Sequence, residues 1–262
     1  MRVAIAAGST RCRKNFRPLR LNANRVDIWR CYPNSIERGQ ICNYVAALSR
    51  SDLARYRKLR HAERRQHFLV GRSLIRHALS QYANVPASSW RFVSNEHGRP
   101  AIDWPRTCRN IHFNLSHTSG LIAVAVGAIP EIGIDVENVD RPVEISDIAE
   151  MVFTSRELNR ISRCSRQDRE AFFELWTLKE AYIKARGTGF SLSPQKFELA
   201  NDNGRISLQC RADCEPIPER WQFHTFKSRN LQLAIAVGSR SVTQIRHLEW
   251  QPNSQADFIE RP

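Results

Sequence analysis

The segment Ile132-Gly133-Ile134-Asp135-Val136-Glu137 constrains this 262-residue chain more than any other. Side chains alternate faces along a strand. Ile132, Ile134 and Val136 therefore share an apolar face, and Gly133, Asp135 and Glu137 share the opposite one. Two carboxylates on one face repel each other unless something positive lies between them. A hard cation such as Mg2+ meets that need, because it favours oxygen ligands. Taken alone, the segment fits equally an exposed strand with two solvated acids.

A second segment removes part of that ambiguity. Residues Arg169 to Arg186 have helical periodicity, closed by Gly187, with Gly189 in a following turn. A rotation of about 100° per residue gathers Phe172, Leu175, Trp176, Tyr182 and Ile183 into an apolar stripe. Glu180 and Lys184 lie together on its flank, beside Phe173 and Thr177. As a surface pair they would contribute only a few tenths of a kcal/mol, roughly. Lys179 falls near the middle of the stripe, so it must reach a buried anion or snorkel past the apolar residues. Asp135, Glu137 and Glu180 together with a lysine point to a divalent cation holding a phosphate group, and so to phosphoryl-type transfer.

The rest of the chain alternates helix and strand. Leu53 to Ala83 contains two helical stretches, the first with Ser51 as N-cap and the second apolar around Gly71 and Arg72. An arginine inside such a helix usually pairs with a carboxylate or a phosphate. Gly98-Arg99-Pro100 is a turn, which makes Arg99 a phosphate candidate. Ile111 to Asn114 and Leu121 to Val126 are strands joined by a polar turn, Ser116 to Gly120. His117 in that turn is either a phosphate donor or a plain surface residue. Ser155 to Ile161 is helical with Thr154 as cap, and strands follow near Trp221 to Phe226 and Leu231 to Val237. Ile122-Ala123-Val124-Ala125-Val126-Gly127 resembles Leu233-Ala234-Ile235-Ala236-Val237-Gly238, each following a long helix at a similar distance. The expectation is an α+β fold of two similar halves packed face to face. The divisions are a basic N-terminal extension (1–26), an N-terminal half (27–128), a C-terminal half (129–248) and a loose polar tail (249–262).

Composition narrows the partners. The formal net charge is +14, which calls for an acidic partner: nucleic acid, anionic membrane, polyphosphate ligand or acidic protein. No zinc-finger spacing, basic tail or RNP-like run supports nucleic acid. No apolar run reaches the roughly 18 residues of a membrane span. The seven cysteines are odd in number and irregularly spaced, which reads as free thiols in a reducing cytoplasm.

Gly133-Ile134-Asp135-Val136-Glu137, Phe153-Thr154-Ser155-Arg156-Glu157 and the Trp176 to Lys184 segment, with Gly98-Arg99-Pro100 and Phe113-Asn114-Leu115-Ser116-His117 upstream, resemble the signature of 4'-phosphopantetheinyl transferases of the Sfp type. The resemblance covers roughly residues 50 to 240. It implies transfer of the phosphopantetheine arm of coenzyme A to a serine of an apo carrier protein, releasing adenosine 3',5'-bisphosphate. It implies Mg2+ on Asp135, Glu137 and Glu180. Lys184 and Lys179 would lie against the diphosphate, and Arg72, Arg99, Pro100, Ser116 and His117 at the adenosine 3'-phosphate end. Glu180, Lys184 and His117 are the expected catalytic residues. The family's members are monomeric pseudo-dimers, two halves related by a pseudo-twofold with the active site in the cleft between them. The expected partner is an acidic carrier protein, with neither nucleic acid nor membrane. Two readings compete with this: a Mg2+-dependent phosphohydrolase or nuclease using the same acids, and a basic nucleic-acid-binding protein.

Overall fold

In each half of the chain a strand leads into a long helix, a small hairpin and two more strands. The computed structural model describes residues 17–33, 38–159, 161, 166–202, 204–210, 214–251 and 259–261. The first 16 residues, most of the expected basic extension, lie outside them. The first half runs β1 (Arg25–Cys31), α1 (Arg38–Ala46), α2 (Arg50–Lys58), α3 (Ala62–Leu79), β2 (Arg91–Ser94), β3 (Pro100–Trp104), β4 (His112–Thr118) and β5 (Leu121–Gly127). The second runs β6 (Ile132–Asn138), α4 (Ile145–Val152), α5 (Ser155–Leu158), α6 (Arg166–Arg186), β7 (Phe197–Asp202), β8 (Arg205–Cys210), β9 (Trp221–Ser228) and β10 (Leu231–Gly238). Then follow β11 (Gln244–Glu249) and β12 (Ile259–Arg261).

The two halves share one connectivity. The sheet orders β1-β5-β4 and β6-β10-β9 place the last strand of each unit in the centre, antiparallel to both neighbours. This explains the similarity of the two Ala/Val/Ile segments. Both β5 and β10 are covered on both faces, so they lack the polar alternation of a half-exposed strand. The sheets face each other through Val26, Ile28, Ala123 and Ala125 on one side and Ile134, Val136, Leu233 and Ile235 on the other. Helix α3 covers the outer face of the first sheet, and α6 that of the second. The fold is α+β, as expected.

Strand β6 is bound on both edges. One edge pairs with β10. On the other, side chains of β4 replace a backbone partner. Asn114 Oδ1, Ser116 Oγ and Thr118 Oγ1 accept the N–H groups of Ile134, Val136 and Asn138 at 3.1, 3.2 and 3.1 Å. Buried backbone donors need partners, and this ladder supplies them across the junction of the halves.

Several details differ from expectation. Ser116 and His117 lie within β4, and the turn is confined to Ser119 and Gly120. The ladder explains this, because it extends the strand through Thr118. Helix α2 is capped by Ser49, whose hydroxyl accepts from Asp52 N–H, rather than by Ser51. The division at residue 129 is not clean: β11 crosses back and pairs in parallel with β1 of the first half. The tail is not wholly loose, since β12 pairs with β11. Among the described residues no disulfide forms, and no helix is long and apolar enough to cross a membrane.

Helix α6 lies directly on β6. A Cβ on Gly133 would fall 1.9 Å from Ala181 O and 2.4 Å from Ala185 N, both backbone atoms. Gly133→Ala should therefore lower stability in chemical denaturation by roughly 3 kcal/mol or more. Gly71, in α3, meets only flexible side chains, the nearest at 3.5 Å. Gly71→Ala should be neutral or stabilising by up to about 1 kcal/mol. Equal effects of the two substitutions would refute the close approach of α6.

Candidate active site

A cleft of about 870 Å³ opens between the halves. Helix α3 contributes Arg64, His67, Phe68 and Arg72, and helix α6 contributes Trp176, Glu180, Ile183 and Lys184. Arg99 before β3, Pro100 at its start and His117 of β4 also line the cleft.

At the α6 wall, Lys184 Nζ donates to Asp135 Oδ1 at 2.6 Å and to Ser116 Oγ at 3.0 Å. Ser116 Oγ donates to the same carboxylate oxygen at 2.8 Å and accepts Val136 N–H at 3.2 Å. The second oxygen of Asp135, Oδ2, is buried and has no hydrogen-bond partner among the described residues. A buried carboxylate oxygen left unpaired is costly. Glu137 accepts from Trp176 Nε1 at 3.1 Å and pairs with Arg141 at 3.2 Å. Burial first, and Asp135 second, push its pKa up to about 7. The same two causes raise Glu180, against the opposing pull of Lys184. All three acids thus share one region of excess negative charge. Among the described residues no three His, Cys, Asp or Glu side chains already form a metal cage. Lys184 holds one oxygen of Asp135, while Trp176 and Arg141 hold Glu137.

The opposite wall is basic. Arg72 pairs with Asp52 at 3.2 Å and lies over the Phe68 ring, so it meets the carboxylate expected of a helix-embedded arginine while facing the cleft. His117 follows Ser116 on the strand, so it points the other way, into the cleft. Its ring lies 5.5 Å from that of His67. Although the ring keeps an exposed face, partial desolvation within the cleft, then His67 and Lys184, lower its pKa, while Asp135 opposes them.

The structure buries Lys179 away from the cleft and gives Ser116 and Arg99 partners within the protein. Lys179 is fully buried and points away from the cleft. Its ammonium meets Glu157 at 2.7 Å and the carbonyls of Pro194 and Phe197 at 2.7 and 2.8 Å. The buried anion demanded by its place in the apolar stripe is Glu157, not a diphosphate. Ser116 is saturated: a hydroxyl has one donor and two acceptor sites, and Asp135, Val136 and Lys184 use them all. It orients Asp135 and Lys184 and has no donor left for a phosphate. Arg99 lines the cleft and directs both Nη atoms of its guanidinium to backbone carbonyls. Conversely, sequence reasoning did not single out Arg55, Arg64, His67 or Trp176 as cleft residues, although all four line it. The spacing of Arg64, His67, Phe68 and Arg72 would have placed these four on one face of α3.

An acidic wall with a buried carboxylate oxygen, a lysine bridging it and an arginine-rich wall opposite suit a phosphorylated substrate. The profile of the 4'-phosphopantetheinyl transferase superfamily matches residues 131–236, and that of the 4'-phosphopantetheinyl transferase N-terminal region matches residues 34–128. The chain is similar to 4'-phosphopantetheinyl transferase gsp of Aneurinibacillus migulanus, 31% identical over 221 residues, which cover 82% of this chain and 88% of that one. It is also similar to 4'-phosphopantetheinyl transferase HetI of a Nostoc strain, at 32% identity over 66% of this chain and 73% of that one. To 4'-phosphopantetheinyl transferase Sfp of Bacillus subtilis it is 29% identical, over 63% and 72% of the two chains. The chain belongs to the 4'-phosphopantetheinyl transferase family.

Two outcomes follow from this geometry. Lys179→Met would leave Glu157 buried without its cation, so stability should fall by about 3–5 kcal/mol while the KM for coenzyme A stays unchanged. A raised KM with intact stability would return Lys179 to the substrate. The second outcome concerns Glu137, whose folded pKa of about 7 lies above the ordinary 4.5. Its contribution to stability is complete below the ordinary value and is lost as pH rises through the raised one. Denaturation of metal-free protein should show a decline across that window that Glu137→Gln flattens. An identical pH profile for the variant would contradict the buried, repelled state of Glu137.

Proposed function

We propose that Asp135, Glu137 and Glu180 hold Mg2+ in the transfer of 4'-phosphopantetheine from coenzyme A to a serine of an apo carrier protein. The observation that carries this reading is the buried, unpartnered Oδ2 of Asp135, set where its charge already raises the pKa of both glutamates. Such a site favours a hard cation with oxygen ligands. When bound, Mg2+ supplies charge neutralisation on the diphosphate and on the leaving phosphate.

The chain's own residues supply the rest. The serine oxygen forms a bond to the β-phosphorus while the bond from that phosphorus to the bridging oxygen breaks. The leaving group is adenosine 3',5'-bisphosphate. Glu180, directly or through a bound water, takes the serine proton. Lys184 and His117 donate to oxygens on which negative charge grows. Arg72 and Arg64 of α3, together with Arg55 of α2, hold the 3'-phosphate end. One chain supplies both walls, so the enzyme works as a monomer. Its positive charge suits an acidic carrier in the cytoplasm. Neither competing reading accounts for family membership, and a plain phosphohydrolase leaves the α3 wall without a purpose.

Mass measurement of an apo carrier incubated with coenzyme A and Mg2+ tests the assignment. Asp135→Ala should lower loading at least ~100-fold, and loading at the wild-type rate would refute the metal site. Lys184→Ala should lower kcat by roughly 100-fold with little change in the KM for coenzyme A. Unchanged kcat with a raised KM would assign Lys184 to ground-state binding instead.

A further inference from the structure

Arg99 and Asn95 belong to the first half, yet their side chains end on the backbone of the second. Arg99 Nη1 donates to Ala185 O at 2.6 Å. Its Nη2 donates to Pro130 O at 2.5 Å and to Ile132 O at 3.2 Å. Asn95 Nδ2 donates to Gly187 O at 2.8 Å. The last carbonyls of a helix have no partner within it, and here the other half supplies them for α6. A guanidinium at this end also suits the helix dipole.

The tip that carries these residues is itself braced. Asn95 Oδ1 accepts the N–H groups of His97 and Arg99 at 3.1 and 2.8 Å. Its fit against α6 is close: at Gly187, where φ is +65°, a Cβ would lie 2.9 Å from Arg99 Cδ. A side chain there is excluded both by conformation and by space.

The four accepting carbonyls frame the catalytic wall. Lys184 immediately precedes Ala185 on α6, and Asp135 follows Ile132 by three residues on β6. Arg99 therefore ties the backbone that carries Lys184 to the backbone that carries Asp135. While the fork is in place, α6 cannot slide along β6 and open the 2.6 Å contact between them. We propose that Arg99, braced by Asn95, is a positioning residue: it fixes the register of α6 against β6 rather than holding a substrate phosphate. The proposal rests on the functional reading of Lys184 and Asp135 given above.

Coenzyme A and 3'-dephospho-coenzyme A separate the two roles, since only the first carries the phosphate that Arg99 was expected to hold. Arg99→Ala should lower kcat about 10- to 100-fold with both substrates by the same factor. The ratio of their KM values should stay at the wild-type value. Added methylguanidine should restore part of kcat. Asn95→Ala should show a smaller loss of the same kind. Arg99→Lys should stay impaired in kcat, because an ammonium cannot reproduce the planar fork. A KM ratio that collapses toward one in Arg99→Ala, or full activity in Arg99→Lys, would show a phosphate contact and overturn the proposal. So would unchanged kcat in Arg99→Ala. If Arg99→Ala does not fold, Asn95→Ala and Arg99→Lys decide alone. Asp135→Ala separates the levels: wild-type loading by that variant defeats the reading of the site itself. Its inactivity alongside an unaffected Arg99→Ala defeats only the positioning role.

Discussion

The contact between the backbone of α6 and that of β6 sets every distance in the catalytic wall. It exists because Gly133, Ala181 and Ala185 leave no side-chain bulk between helix and strand, and Ala234 and Ala236 of β10 extend the same low surface. At that separation a lysine on the helix flank reaches an aspartate on the strand face at 2.6 Å. The same closeness buries Asp135 and Glu137, and burial makes their mutual repulsion expensive. A small-residue seam therefore produces the electrostatic demand that a cation and a diphosphate would meet.

The junction of the halves supplies the remaining constraints. β4 satisfies the outer N–H groups of β6 with side chains instead of backbone. This leaves Ser116 at the centre of the Asp135–Lys184 cluster and turns its neighbour His117 into the cleft. From the far end, Arg99 and Asn95 cap α6 across the same junction. One half thus provides the arginine-rich wall and the braces, while the other provides the acids and the lysine. The repeated connectivity makes this division feasible: each half is a sheet covered on its outer face by one long helix, and the apolar inner faces hold the two together.

Much of this was legible in local pattern. The alternation from Ile132 to Glu137 showed the strand and its acidic face, and the stripe in α6 put Glu180 and Lys184 on a shared flank. The stripe left Lys179 either a buried anion or a path out past the apolar residues, and the anion it found is not local. Glu157 lies on another element, and its role depends on α5 docking beneath α6. Its carboxylate there takes Lys179 and the N–H groups of Thr154 and Leu199. The fate of Ser116 was equally hidden, because hydroxyl saturation depends on partners 19, 20 and 68 residues away. Arg99 looked like a phosphate ligand because an arginine in a turn usually faces solvent. Its carbonyl partners come from two distant segments that meet only in the folded chain. The return of β11 to β1 is a long-range pairing with no local signal.

On the proposed reading, a divalent cation binds beside Asp135 Oδ2, between β6 and α6. Crystals grown with coenzyme A and Mn2+ in place of Mg2+ would locate it by anomalous scattering. One peak within bonding distance of Asp135 Oδ2, Glu137 and Glu180 is the predicted result. A peak elsewhere in the cleft, or substrate bound with no peak on the acidic wall, would contradict it.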